Sequence, residues 1–386
     1  MSVPPSDDSR IITPFFPSLF HIALVKIAAP FLLEFDIETL DRVFTDIQHG
    51  ISARINEGSQ NDHKAKRAHE KILSIPAHLR RRLFKTITGM YCEFYRWLTE
   101  HSRIFSWKVG ITVYWRSDGT INTTKTAEHL VQNENINIRE RFHLACIFCL
   151  EESVQTLWKE MEASGETKNF ETGNKYMTSF WVRWMQEGSR LPWLQAVEEY
   201  LVLPPALSKK DLFRCSPFFP LLRSENRKKF ITFFDRTCYD DIRLCLYAAT
   251  KEEQVKILKE HTLYILLLYL NWPLQSFFLE IAEMVWHFLD MATFCTVLKC
   301  IWICQEQRKD FDYCELFVEF WNRCPVSLRE IVKEHPTVSI TINSILNKIR
   351  RKRERESISD TNQNKWIRIS GRLESTTSLF DSHKII

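Results

Sequence analysis

Along most of this chain apolar residues recur at the i, i+3, i+4, i+7 spacing of a helix face. The central stretch, Asn133 to Met161, carries the pattern most fully. Phe142, Ala145, Cys146, Cys149 and Leu150 mark one face. Val154, Leu157, Trp158 and Met161 repeat it after the acidic break Glu151-Glu152-Ser153. Leu144 and Phe148 lie off the first stripe, so that helix belongs between neighbours rather than on a surface. Upstream, Ser18 is placed to cap a helix burying Phe20, Ala23, Leu24, Ile27 and Ala28, which Pro30 is expected to end. Asp36 opens a second helix with the face Ile37, Leu40, Phe44, Ile47 and Ile51. A polar loop over 56–71 precedes a long helix from about Ala77 to His101, with Leu79, Leu83, Ile87, Tyr91, Phe94 and Leu98 on one side.

One segment alternates like a strand. Ile111 to Trp115 is rich in β-prone types, and Ser117-Asp118-Gly119-Thr120 is a turn signal leading to Ile121, which predicts a small β-hairpin near 111–122. Thr124 or Thr126 then caps a short helix through Val131. Beyond a polar gap at 162–173, Met177, Phe180, Trp181 and Trp184 form an aromatic stripe that closes at Gly188. Pro192 opens a helix burying Trp193, Leu194, Val197 and Leu201. A connector with Pro217 and Pro220 leads to Phe230, Phe233 and Phe234. From Asp241 onward helices crowd together, and Thr250/Glu253, Asp312/Glu315 and Ser327/Glu330 have capping-box spacing.

Composition points the same way. Nine glycines in 386 residues is about a third of the usual share of roughly 7%. Glycine-rich phosphate loops, Rossmann turns and strand-rich barrels therefore have little to be built from. The reading is all-α, with helical hairpins stacked as an irregular α-solenoid. Its divisions are a disordered N-terminus (1–17), an N-terminal helical region (18–163), a polar linker (164–173), a C-terminal helical-repeat region (174–349) and a basic, disordered tail (350–386).

Charge and thiols set the expected compartment. From Lys348 onward ten Lys/Arg face five Asp/Glu, whereas the whole chain carries +4, so the body is close to neutral. Eleven cysteines, mostly inside helical patterns, and a polar, proline-rich opening without a signal peptide predict reduced thiols in a cytoplasmic or nuclear protein. The sequon Asn122-Thr123-Thr124 is then unused. The longest apolar run, Leu263 to Leu270, ends at Asn271 and Pro273 and is too short to span a bilayer.

Two resemblances attach to particular residues. His143-Leu144-Ala145-Cys146 followed by Val154 and Leu157-Trp158 resembles the paired helices of an ankyrin repeat, with Cys149 where that repeat has its turn glycine and no TPLH-like turn before it. Leu244, Cys245, Ala248 and Ala249, then Thr250 to Leu258, are similar to a second copy. Separately, Pro17-Ser18-Leu19 with Ala23-Leu24 and Ala28, then Trp115-x-Ser117-Asp118-Gly119-Thr120-Ile121, then Ala127-x-x-Leu130-x-Gln132-Asn133-Glu134-Asn135 running into Arg139 to Trp158, resembles a large lineage-expanded family of arachnid proteins over about residues 15–165. That resemblance implies an intracellular helical protein and carries no known catalytic residues.

Candidate chemistry is sparse. His143, Cys146 and Cys149 could contribute to zinc binding, but His143 points away from the cysteine face and no second ligand pair lies nearby, so core thiols are the expectation. Cys300 and Cys304, one turn apart, read alike. Glu151-Glu152, Glu198-Glu199 and Glu252-Glu253 sit at helix starts or on polar faces, where negative charge suits the dipole. The sharpest local signal is basic: Lys348, Arg350, Arg351, Lys352, Arg353 and Arg355, read as a nuclear import signal, a phosphate-contacting patch or a solvated helix end. No catalytic, cofactor-binding or metal-binding residue is expected. The sequence reads as an intracellular, non-enzymatic scaffold for protein partners, with no membrane association. One alternative is a ubiquitin-ligase substrate adaptor, for which Ile75-Pro76-Ala77-His78-Leu79 and Pro17-Ser18-Leu19 are the candidate helical boxes. The other is a nuclear, nucleic-acid-associated protein acting through the basic tail.

Overall fold

The computed structural model describes residues 10–51, 60–101, 111–167, 176–187, 195, 198, 214–232, 234, 237–336, 339–340, 342–351 and 354. Within them the secondary structure is helical and no strand forms. The chain divides into two compact units, one of residues 1–289 and 303–312, the other of 290–302 and 313–386.

The first unit opens with α1 (Leu19–Glu34), α2 (Ile37–Gln48), α3 (Gln60–Leu73) and α4 (Ala77–Glu100). Ser18 Oγ accepts from the His21 amide and Asp36 Oδ1 from the Thr39 amide at 2.8 Å, the two caps expected from sequence. Pro30 does not end α1. It lies on the exposed side, where the carbonyl it leaves without an amide partner can meet water, and buried Ala28 and Phe31 hold the backbone helical on either side. The polar stretch expected to be a loop is largely helix: α3 buries Ala68 and Ile72, while Arg67 and Lys71 pair outward with Glu34. Leu24, Val25, Ala28 and Phe31 of α1 join Leu83, Ile87 and Met90 of α4 in one core.

The expected hairpin reduces to a single antiparallel bridge, Trp115 with Ile121. Arg116 N–H donates to Thr120 O and Asn122 N–H to Tyr114 O, both at 2.7 Å. The ladder stops there because Asn122, rather than a later threonine, caps α5 (Thr123–Val131) and turns the chain into a helix. Tyr114 N–H meanwhile donates to Thr126 Oγ1, a side chain of that helix.

The central hairpin is α6 (Ile138–Ile147) and α7 (Glu151–Ala163), and it packs with α5 and with α8 (Tyr176–Gln186). Phe142, Ala145, Cys146, Val154, Leu157, Trp158 and Met161 are all buried, as their spacing requires. Cys149, between the helices, has φ +55°, the left-handed conformation for which a glycine is usual. In α8, Met177, Phe180, Trp181 and Trp184 are buried, and Trp181 Nε1 donates to Cys146 O. The helix expected at 192–201, with Gly188 and Phe233, lies outside the described residues apart from positions 195 and 198.

The rest of this unit comprises α9 (Ser224–Ile231), α10 (Tyr239–Ala248), α11 (Lys251–Glu260), α12 (Thr262–Tyr269) and α13 (Phe278–Val285). Thr250 and Glu253 form the reciprocal capping box at the start of α11. Residues 10–17, expected to be disordered, form no helix but are tied down as a strap. Gln254 Oε1 accepts from the amides of Ile11 and Ile12, and its Nε2 donates to Ile12 O at 2.8 Å. Arg10 Nη1 donates to Tyr247 O.

From Met291 the chain continues as α14 (Met291–Gln307), α15 (Tyr313–Arg323) and α16 (Val326–Lys333). In the second unit Phe294 stacks on Phe320, with ring centroids 5.3 Å apart. Ser327 caps nothing; Pro325 occupies the cap position, which places Ser327 inside α16.

Candidate functional site

One face of α1, in the first unit, is apolar and exposed. The buried residues of α1 fall on one side. Leu19, Phe20, Ala23, Ile27, Pro30 and Leu33 fall on the other and are exposed, Leu19 at 86% and Leu33 at 69%. At 100° per residue these six span roughly 140° of the helix surface. Sequence spacing placed Phe20, Ala23 and Ile27 inside; the structure instead buries Val25 and Phe31 with Leu24 and Ala28. Phe16, in the strap before the helix, is 82% exposed.

Two cations border this apolar face. Lys26 lies within the stripe, and the guanidinium of Arg82 on α4 sits 5.3 Å from the centroid of the Phe20 ring. Among the described residues neither pairs with a carboxylate. Single exposed apolar side chains are ordinary, but a continuous row on one helix is not, and such rows characterise contact surfaces.

A second cluster is chemically conspicuous but acts as a clamp. Arg116, Arg214 and Arg243 converge on Asp240, with Nη1 of Arg116 at 3.2 Å, Nη2 of Arg214 at 3.5 Å and Nη2 of Arg243 at 2.7 Å. Thr123 Oγ1 donates to the same carboxylate at 3.2 Å. Arg243 reaches Asp118 in the turn, and Asp241 accepts from the amides of Cys215 and Ser216. Three guanidiniums face three carboxylates, and their ion pairs run between the cluster's own members. Burial works against charge on Asp240, yet Arg243, Arg116 and Arg214 outweigh it and hold its carboxyl far below the usual range. Asp241 goes the other way, because burial exceeds the help it receives from Arg214. Nη1 of Arg214 has no hydrogen-bond partner in the described structure, but its guanidinium lies 4.9 Å from the Phe148 ring centroid. The arrangement fastens the turn and the start of α5 to α10.

The residues singled out from sequence are dispersed. His143 Nδ1 lies 3.0 Å from Thr178 Oγ1, Cys146 is buried and Cys149 makes the turn. Among the described residues no three His, Cys, Asp or Glu side chains converge as metal ligands. Glu151 and Glu152 start α7; Glu253 caps α11 and pairs with Arg227. Glu198 meets Arg223, and Glu199 lies outside the described residues. Of the basic run, Lys348 Nζ lies 5.7 Å from the Trp302 ring centroid, Arg350 approaches Glu354 at 4.0 Å and Arg351 is exposed. Lys352, Arg353 and Arg355 lie outside the described residues. None of the helices in the described residues is long and apolar enough to cross a membrane.

No family model matches the chain, and neither the curated proteins nor the solved structures yield a match.

Proposed function

We propose that the chain is an intracellular, non-enzymatic helical-repeat protein, an irregular solenoid that docks a protein partner on the exposed face of α1. The carrying observation is the apolar stripe Leu19, Phe20, Ala23, Ile27, Pro30 and Leu33, opposite the face that packs on α4. The occupant that fits is an amphipathic helix, because a row of i, i+4, i+7 apolar positions is read by a matching helix. Lys26 and Arg82, both without carboxylate partners among the described residues, call for acidic residues along that helix. The repeat reading is supported by neighbour-to-neighbour packing of successive helices, α5 with α6, α6 with α7, α7 with α8, and α11 with α12.

The test is affinity capture with the wild-type chain and the double variant Leu19→Glu/Ile27→Glu. Both side chains are exposed, so stability should be unchanged within about 0.5 kcal/mol. The proposal expects a discrete partner bearing an acidic amphipathic helix, lost with the variant and with Arg82→Glu. Retention of the same complex by the variant, or a partner that binds without such a helix, would refute it.

A further inference from the structure

The strap of residues 10–16 roofs a cleft of about 200 Å³ whose floor comes from α10, α12 and α13. Phe15, Tyr247, Tyr269 and Phe277 supply aromatic surface to it, and Glu280 stands among the same lining residues. Phe15 meets Phe277 edge to face, with ring centroids 5.6 Å apart. The strap itself is held by Gln254, so the roof is built rather than lying loosely.

Charge decides what this cleft can hold. Aromatic faces carry negative potential and attract cations, most strongly where water is excluded. Glu280 is the one carboxylate among the lining residues, and no cation pairs with it among the described residues. Of the cations nearby, Arg243 is paired with Asp240 and Asp118, and Arg10 is exposed and donates to the Tyr247 carbonyl. The volume is below the roughly 300–1,000 Å³ of sites for drug-sized ligands, so the occupant is a head group rather than a large molecule.

We propose that the strap cleft binds a small organic ammonium ion, its charge facing Glu280 and its alkyl groups against Phe15, Tyr247, Tyr269 and Phe277. This is a ligand site, separate from the docking face on α1. The discriminating probes are choline and its neutral carbon isostere 3,3-dimethyl-1-butanol, titrated against the full chain by calorimetry and by thermal unfolding. Choline should bind saturably and raise the unfolding midpoint. The neutral isostere should bind roughly tenfold or more weakly, since losing one cation–aromatic and carboxylate interaction is worth about that factor. Glu280→Gln, on an exposed side chain, should weaken choline severalfold without altering the unfolding midpoint of the unliganded chain. Phe277→Leu should weaken it while keeping the wall apolar. Equal binding of the two probes, insensitivity to Glu280→Gln, or no saturable binding of either probe at millimolar concentration would each overturn the proposal.

Discussion

Trp272 lies flat against Gly89, and a β-carbon added there would overlap the indole at Cε3 and Cδ2. The same ring meets the turn, where Gly119 has φ +81° and an added β-carbon would stand 2.7 Å from Nε1. Nε1 donates to Gly119 O, and His21 stacks on the indole ring with centroids 5.3 Å apart. One tryptophan thereby joins α1, α4 and the turn.

Gly89→Ala should therefore destabilise the first unit by about 1–3 kcal/mol from overpacking, despite the roughly 1 kcal/mol that alanine gains in a helix interior. Adding Trp272→Leu should recover part of that loss, a coupling readable in a double-mutant cycle by denaturant titration. Stabilisation by Gly89→Ala alone would show that the indole does not press on α4.

Cys149 offers the opposite effect. Its φ of +55° costs a side-chain-bearing residue strain that glycine does not feel. Cys149→Gly should stabilise by about 0.5–1 kcal/mol, less whatever packing the half-buried thiol supplies. Cys149→Val, β-branched at the same φ, should destabilise, and equal midpoints for the two variants would contradict the assignment.

The buried clamp gives a ranking. Asp240→Asn leaves Arg214 and Arg243 buried without their shared countercharge and should cost about 3–5 kcal/mol. Arg116→Met should cost less, because Arg116 is only partly buried and two other guanidiniums remain. If the two losses are equal in thermal unfolding, Asp240 is not the hub.

Acid should find a different residue first. His101 is buried, stacks on Phe148 with centroids 5.4 Å apart and hydrogen-bonds through Nδ1 to Trp97 O at 2.7 Å. Burial, reinforced by the Arg214 charge, depresses its pKa to about 3. The unfolded chain, with an ordinary histidine near 6.5, binds the proton more readily, so stability is full above about pH 6.5 and falls as pH drops toward 3. Asp240, also depressed, adds its loss only below the ordinary carboxylate range near 4. His101→Phe should flatten the decline between pH 6.5 and 4, by at most about 1.4 kcal/mol per pH unit; an unchanged slope would place the sensitivity elsewhere.

What the sequence disclosed depended on distance along the chain. The α6–α7 hairpin, the Ser18 and Asp36 caps and the Thr250/Glu253 box were legible because each is set by residues a few positions apart. Cys149 at a glycine's place was legible for the same reason. The clamp was not, because Arg116, Arg214 and Asp240 come from three distant segments; its only local trace is Asp240-Asp241 with Arg243, which also suits an ordinary helix start. On α1 the helix and its cap were readable, but both faces are apolar, and periodicity cannot say which one faces the core. That ambiguity hid the exposed apolar stripe.

Site-specific photocrosslinking in cells tests the docking account most directly. A photoreactive residue at Ile27, in the stripe, is compared with one at Lys159, exposed on α7. Crosslinks from position 27 to one protein, mapping within an acidic amphipathic helix and absent from position 159, are the expected result. Equal and diffuse labelling from both positions would contradict it.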